Sequence, residues 1–232
     1  MAISLKPILV DAVKQEETQK AATILKYTRD SAKSLLEAYE LMRGKRGAAR
    51  GMTTDAEQDV LRAMLVMAAA GLDGMVKRLI RDSLPKLVNK DGRVKNGLEK
   101  FIAQQIRGDT DVLESRVGAK FLASVLSSPR PQKRVIEAYI RSLTGGSLQS
   151  ADELMKVTAA FGLEPAAIGI EPEQLKGIFD IRNKIIHELD IDLEGDRRKR
   201  NLRAQQDMAD GTDKLLGVGL RLLTEVDGKL GK

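Results

Sequence analysis

The chain has 232 residues, of which none is cysteine, none is tryptophan and one is histidine. Without cysteine, disulfides and thiolate metal sites are excluded. With one histidine, metal sites that need several histidines are excluded as well. We therefore expect neither a bound metal nor a cofactor.

Aromatic residues are also scarce, at 3%, although 42% of the chain is hydrophobic. The core must therefore consist of Leu, Ile, Val, Ala and Met. Together with abundant Glu, Lys, Arg and Gln, this composition favours helix over sheet. There is no strong strand pattern and no internal repeat. The sequence predicts an all-α fold, a bundle of six to eight helices.

The chain lacks any long apolar run. The longest strongly apolar stretch, Ala63 to Leu72, is far shorter than the roughly 20 residues of a membrane span. The N-terminus lacks the basic start and apolar segment of a signal peptide. We expect a cytoplasmic protein with no membrane partner. Its net charge of +6 and isoelectric point of about 9.4 favour a polyanionic partner.

In the first half of the chain, periodicity predicts one long helix or two from Leu5 to Met42, with Pro7 in the first turn. Gly44 to Met52 is interpreted as a loop. The sequence Thr54-Asp55-Ala56-Glu57 is a capping box, which predicts a helix that continues to about Leu84 and is ended by Pro85. Asn89 to Gly97 is interpreted as a polar turn region.

In the rest of the chain, six further helices are predicted. A second capping box begins at Ser150, and Gly162 ends the helix that it opens. The other four predicted helices are Leu98–Ile106, Val112–Leu126, Pro131–Leu143 and Pro172–Asp190. A last helix is predicted from about Arg200 to Leu230. We expect residues 1–50 to be an N-terminal helical extension of a domain at 51–232, or both to form one continuous domain.

The single histidine closes the string Arg182-Asn183-Lys184-Ile185-Ile186-His187. Histidine is the side chain best able to move a proton near neutral pH. Arginine is a permanent planar cation that binds phosphate oxygens bidentately, and an asparagine amide can position either group. These are the parts needed to cleave RNA without a metal.

At 100° per residue, Leu175, Ile178, Ile185 and Leu189 form a narrow apolar stripe that includes Arg182. His187 lies about 140° away from this stripe, with Asn183 in between. An arginine on an apolar face is unusual unless it is paired. Arg182 therefore either bonds a buried acid or lines an interface or cleft. The alternative for His187, as a lone histidine, is a structural role.

The string from Asp180 to Glu188 resembles the signature of HEPN domains, which is Arg, four to six residues and then His, often with Asn after the Arg. The stretch from Asp59 to Asp73 resembles the central helix of the RiboL-PSP-HEPN group, and Leu84-Pro85-Lys86-Leu87 follows it there. The order of the predicted helices agrees as well. The resemblance covers roughly Asp55 to Leu230.

The resemblance implies an HEPN-like fold and a homodimer in which the two motif helices meet at a two-fold axis. Arg182, Asn183 and His187 of both chains would form a composite catalytic site. It implies a metal-independent endoribonuclease that acts through the 2′-hydroxyl and leaves a 2′,3′-cyclic phosphate. Such an enzyme would be a toxin or a phage-defence effector, with an antitoxin or another defence-system subunit as a partner.

Two acids are candidate supporting residues for this site. Glu188 follows His187 directly, and the alternative for it is a charge at the exposed helix end. Asp73 lies on an otherwise apolar helix, where an unpaired carboxylate is costly. A bond between Asp73 and Arg182 would satisfy both groups.

A basic run follows the motif and consists of Arg197, Arg198, Lys199, Arg200 and Arg203. It is interpreted either as an RNA-phosphate contact or as a solvated helix start. The acids between the motif and the basic run match no known Mg²⁺ loop and are interpreted as a solvated link. They alternate along the chain and are Glu188, Asp190, Asp192, Glu194 and Asp196.

Two other functions remain open on the sequence. One is a catalytically silent HEPN domain used for dimerisation or RNA binding. The other is a helical adaptor in which Arg182 makes only a buried ion pair. The presence of Arg182, Asn183 and His187 together favours the nuclease, because a silent domain would tolerate their loss.

Overall fold

The computed structural model describes residues 3–47, 51–107, 112–148, 150–195 and 199–232, and between residues 112 and 126 it describes the side chains from Gly118 onward. In these ranges the chain forms eight α-helices and no strand, apart from an isolated bridge between Ile191 and Arg200. The predicted all-helical fold is confirmed. The helices are α1 (Glu16–Lys45), α2 (Asp55–Lys90), α3 (Gly92–Arg107), α4 (Val112–Leu126), α5 (Pro131–Thr144), α6 (Ala151–Ala160), α7 (Pro172–Glu188) and α8 (Gln205–Gly231).

Helix α2 is the centre of the bundle and packs against α1, α3, α5, α7 and α8. It begins at the predicted capping box: Thr54 Oγ1 accepts from the Glu57 amide, and the Glu57 carboxylate accepts from the Thr54 amide at 2.8 Å. A Cβ atom on Gly219 of α8 would lie 3.0 Å from Met75 and 3.2 Å from Leu25. The absence of a side chain at this point therefore lets α1, α2 and α8 approach closely.

Pro85 does not end α2, and that prediction was wrong. The helix continues to Lys90, because Leu84 directly before the proline and Leu87 and Val88 beyond it are all buried in the core. Burying each of these side chains contributes about 1.5–3 kcal/mol, which offsets the backbone hydrogen bond that proline cannot donate. The predicted polar turn at 89–97 is consequently helical except at Asp91.

The N-terminal segment differs from its prediction because α8 binds its backbone. Pro7 lies in a non-helical segment before a short 3₁₀-helix at Val10–Ala12, and α1 begins only at Glu16. Asp213 accepts from the Lys6 amide, and Asp227 accepts from the amides of Lys14 and Gln15. These bonds satisfy backbone donors that a helix would otherwise use.

Helix α1 packs along α2 and α8, and its buried side chains belong to the same hydrophobic cluster as those of the other helices. Whether residues 1–50 behave as an extension of a separable domain stays a prediction. None of the described helices has both the length and the apolar character of a membrane span.

Helix α7 carries the motif and begins with Pro172 at its first position, after a 3₁₀-helix at Pro165–Ile168. It packs against α2, α6 and α8, so the motif helix lies against the central helix. Helix α7 ends at Glu188, before the predicted end, and α8 starts later than predicted, at Gln205. The intervening segment folds back onto α2, and its contacts bear on the candidate site.

Candidate active site

Arg182 is a buried cation, with 6% of its surface exposed. Its Nη1 donates to Asn183 Oδ1 at 2.9 Å, so the two motif residues are bonded to each other. Burial lowers the pKa of Arg182, and the negative charge of Asp73 acts in the opposite direction. Because the ordinary pKa of arginine lies far above neutral pH, the guanidinium remains a positive charge at a fixed place.

Asp73 is held by α2 and by the segment that precedes α6. Its Oδ2 accepts from Lys77 Nζ at 2.9 Å, and its Oδ1 accepts from the Leu148 amide at 2.8 Å. The carboxylate is thus satisfied without the predicted bond to Arg182, on which it acts through its charge. Its role in supporting catalysis stays a prediction.

His187 is exposed in the last turn of α7, and Asn183 is half-buried one turn before it. Residues four apart are neighbours on a helix surface, so Asn183 lies between the buried guanidinium and the exposed imidazole. Glu188 is exposed beside His187, and its supporting role also stays a prediction. The three motif residues therefore form a row that leads from the interior to the solvent.

Directly after His187 the backbone turns sharply. Leu189 and Asp190 have φ angles of 51° and 59°, which lie in the left-handed region. The Asp190 amide donates to the Lys184 carbonyl at 2.9 Å and closes the end of α7. Two consecutive non-glycine residues in this region cost on the order of 1 kcal/mol or more each, so other interactions must hold them.

The side chain of Asp190 provides those interactions, because it is fully buried and accepts from three residues. Arg62 Nε donates at 3.0 Å, Arg203 Nε at 2.9 Å and Asn201 Nδ2 at 3.2 Å. Burial alone raises the pKa of this carboxyl, but the bonds from Arg203 and Arg62 outweigh it, and the pKa is lowered. Asp190 is therefore an anion between two arginines.

The interpretation of Asp190 as part of a solvated link was wrong. Its neighbours Asp192 and Glu194 are exposed as expected, and Asp196 lies outside the described residues. Alternating acids look alike in the sequence, and only the partner cations decide which one is buried. A signal for this was Arg62, a cation within the apolar sequence of α2, where burial requires a partner.

The predicted RNA-binding run is partly engaged within the protein. Arg203 bonds Asp190, while Arg200 forms an ion pair with Asp59 and donates from Nε to the Leu189 carbonyl at 3.0 Å. Lys199 is exposed. Arg197 and Arg198 lie outside the described residues. At Arg200 and Arg203, the positive charge is thus compensated by acids of the same chain.

Exposed apolar side chains surround the end of α7. The ion pair between Arg62 and Asp190 and the influence of Asp73 on Arg182 show that α2 and α7 are antiparallel here. Ile186, in the last turn of α7, is 40% exposed. Leu189 and Leu193 beyond it are 64% and 54% exposed.

Among the described residues, no group of three or more His, Asp or Glu side chains is arranged to hold a metal ion. Comparison of the chain with protein-family models, curated proteins and solved structures gave no match. The residues at the end of α7 and their geometry therefore carry the functional interpretation.

Proposed function

We propose that this protein is an HEPN-like endoribonuclease that cleaves RNA without a metal ion. The observation that carries the proposal is the row of Arg182, Asn183 and His187 on α7. It combines a fixed cation, an amide bonded to that cation and a solvent-exposed proton carrier within two helical turns. The resemblance of the string Asp180 to Glu188 to the HEPN signature supports the same chemistry.

In the proposed reaction, His187 removes the proton from a ribose 2′-hydroxyl. The O2′ atom then forms a bond to phosphorus, and the bond from phosphorus to the 5′-oxygen of the next nucleotide breaks. The leaving 5′-oxygen takes a proton from a general acid, and the products are a 2′,3′-cyclic phosphate and a 5′-hydroxyl. Arg182 stabilises the negative charge that builds up on the phosphate oxygens, and Asn183 orients the guanidinium.

A homodimer is part of the proposal, because the reaction needs a base and an acid while each chain supplies one histidine. A two-fold axis beside α7 would bring two His187 side chains together, one for each role. The exposed apolar side chains of Ile186 and Leu189, which flank His187 along the chain, support an interface at this place. Shielding of this region from water would also strengthen the field of Arg182.

The interface is tested by the variant Ile186→Glu, which would bury a charge in the proposed contact. Light scattering should show a dimer for the wild type and a monomer for Ile186→Glu. Tyr27→Glu is the matched control, because Tyr27 is an exposed apolar residue on α1, with 67% of its surface accessible. A wild-type monomer at micromolar concentration, or equal dimers of all three proteins, would contradict the proposed interface.

The chemistry is tested by the substrate and the product ends. Cleavage of an RNA oligonucleotide should continue in excess EDTA and stop when the ribose at the cut site is 2′-deoxy. The 3′ ends should carry a cyclic phosphate, detected by mass spectrometry. Loss of cleavage in EDTA and its recovery with Mg²⁺ would contradict the proposed mechanism.

In the cell we propose a cytoplasmic toxin or phage-defence effector, whose activity an antitoxin or another subunit of the system restrains. Expression of the wild type should arrest growth and degrade RNA, and His187→Ala should relieve both. A normal growth rate with intact RNA at high wild-type expression would argue against this role.

The second candidate is a catalytically silent HEPN module for dimerisation or RNA binding. The observation that favours it is the burial of Arg182, whose guanidinium already bonds Asn183 in the single chain. A silent module would bind RNA, leave it intact under all conditions and be insensitive to His187→Ala.

A further inference from the structure

We propose that a second RNA-binding surface lies at the opposite end of the bundle from His187, where a groove takes the sugar-phosphate backbone. The groove consists of two adjoining clefts of about 890 and 520 Å³. They share Arg93, Gly162, Leu163 and Glu164, so they form one continuous depression along the ends of α3, α6 and α8. The choice of RNA as the polyanion rests on the proposed function.

The lining of this groove is strongly basic. Its cations are Lys90, Arg93, Lys100, Lys156, Lys229 and Lys232, and its acids are Asp91, Glu164 and Glu225. Lys229 pairs with Asp91, which leaves five cations against two carboxylates. Arg93, Lys100 and Lys156 are exposed. Neutralising phosphates with such side chains releases counterions, the main source of sequence-independent affinity.

One wall of the groove is fixed before any ligand binds. Lys229 Nζ donates to Asp91 Oδ2 at 2.7 Å and to the Gly162 carbonyl at 3.2 Å. Asp91 Oδ1 accepts from the Arg93 amide at 2.8 Å and thereby caps α3. These bonds join the start of α3, the end of α6 and the end of α8. This wall therefore needs little further ordering when a ligand binds.

The floor consists of small, uncharged residues, which suits a backbone better than a base. It includes Gly97 of α3 and Ala159 and Ala160 of α6. A Cβ atom on Gly97 would lie 3.0 Å from Tyr139 Oη, so a side chain there would meet the tyrosine. Tyr139 itself is only 6% exposed and offers no face for stacking. We therefore expect binding that depends on phosphates and not on base identity.

The cations follow both sides of this floor. Arg93 and Lys100 are seven residues apart and lie on one face of α3, and Lys156 projects from α6. A strand that runs along the groove would therefore have positive charge on either side. This arrangement fits a linear chain of phosphates better than a single small anion.

The groove is distinct from the candidate active site. On α2, Arg62 pairs with Asp190 near His187, whereas Lys90 at the C-terminal end of the same helix lines the groove. At 1.5 Å per residue these two positions on α2 are on the order of 40 Å apart. A stacked strand advances about 3.4 Å per nucleotide, so an RNA that reaches both must have on the order of 12 nucleotides.

The test uses a fluorescent RNA of this length or longer with 2′-O-methyl riboses, which bind but cannot be cleaved. Binding is followed by anisotropy as salt is raised, for the wild type and for Arg93→Ala/Lys100→Ala/Lys156→Ala. The matched control is Lys20→Ala/Lys26→Ala/Lys33→Ala, which removes the same charge from exposed positions of α1. Lys100→Glu is a second, single-site groove variant at an exposed position, and thermal melting checks that all variants fold.

The groove variant should bind about tenfold more weakly than the control at low salt. The slope of log affinity against log salt should be less steep by about two, because three cations are removed and each phosphate contact on a single strand contributes about 0.7 to the slope. Lys100→Glu should act in the same direction. Equal binding and equal slopes for groove and control variants would overturn the proposal.

A competition arm separates RNA from an acidic protein partner. If polyglutamate displaces RNA from the wild type and the groove variant loses polyglutamate binding while retaining RNA, the RNA assignment is wrong. This readout is independent of catalysis. RNA binding through the groove without any cleavage would contradict the proposed nuclease and support the RNA-binding groove. Normal cleavage, with no effect of the groove variant on RNA binding, would contradict the groove alone.

Discussion

The two ends of α2 are stabilised by different kinds of interaction. Towards its C-terminal end, Leu79, Leu84 and Leu87 are fully buried among apolar neighbours. Near its N-terminal end, Arg62 is buried against the anion Asp190. Apolar packing tolerates irregular local sequence, as Pro85 within the helix shows. A buried ion pair depends on geometry, because each charge has lost its hydration and must keep its partner.

The candidate active site lies at the charged, N-terminal end of α2. This end fixes the last turn of α7, because the left-handed Leu189 and Asp190 are held through Arg62, Arg203 and Asn201. His187 lies two residues before this anchor. The apolar end gives the bundle its stability, and the charged end gives the motif its orientation.

The largest loss of stability should follow from removing the anion. Asp190→Ala leaves Arg62 and Arg203 facing each other without compensation, which should lower the free energy of unfolding by about 3–5 kcal/mol. Urea denaturation measures this. Asp192→Ala is the control, because Asp192 is exposed two residues away and its loss should change stability by about 0.5 kcal/mol or less.

The same pair predicts a pH dependence. Since the pKa of Asp190 is lowered in the fold, its contribution is complete above its unfolded pKa of about 3.9 and is lost as the pH falls through the folded value. The stability difference between the wild type and Asp190→Asn should therefore shrink in acid, below about pH 4. A difference that stays constant down to pH 2 would show that the carboxylate charge contributes nothing.

A smaller loss is expected at the apolar end. Leu79→Ala should cost about 3 kcal/mol, because it removes a fully buried side chain and leaves a cavity. The loss relative to wild type should be the same at pH 3 and pH 7, in contrast to the loss at Asp190. Met52→Ala, at a 78% exposed position, should be nearly neutral in the same denaturation experiment.

The smallest effect should come from the cap of α2. Thr54→Ala removes the acceptor for the Glu57 amide and should cost about 1 kcal/mol. Thr54→Ser keeps the hydroxyl and should recover most of this in thermal melts. A loss of more than 3 kcal/mol in Thr54→Ala would mean that the N-terminal end depends on its cap as much as on its ion pair.

Sequence patterns predicted the helices well where local signals agree with packing. The capping box at Thr54 and the periodicity of α2 and α7 are local, and both helices appear close to their expected positions. The prediction failed where distant residues decide. Pro85 is overridden by core burial, and the N-terminal segment is held by Asp213 and Asp227, more than 200 residues away along the chain.

The candidate site shows the same limit. The sequence predicted the row of Arg182, Asn183 and His187, because helical spacing alone relates these residues. It missed the anchor at Asp190, whose partner Arg62 is 128 residues away. No local pattern distinguishes Asp190 from the exposed Asp192, so this contact appears only when α2 and the segment after α7 are placed together.

The most direct test of the proposed nuclease is the single-turnover rate of RNA cleavage in EDTA by the wild type and by His187→Ala. If His187 carries the proton, the rate should fall by about 10²–10⁴-fold while the affinity for uncleavable RNA is unchanged. Lys184→Ala, an exposed residue on the same helix, should cleave at nearly the wild-type rate. A His187→Ala protein as active as the wild type would contradict the proposal and leave the motif as a structural helix.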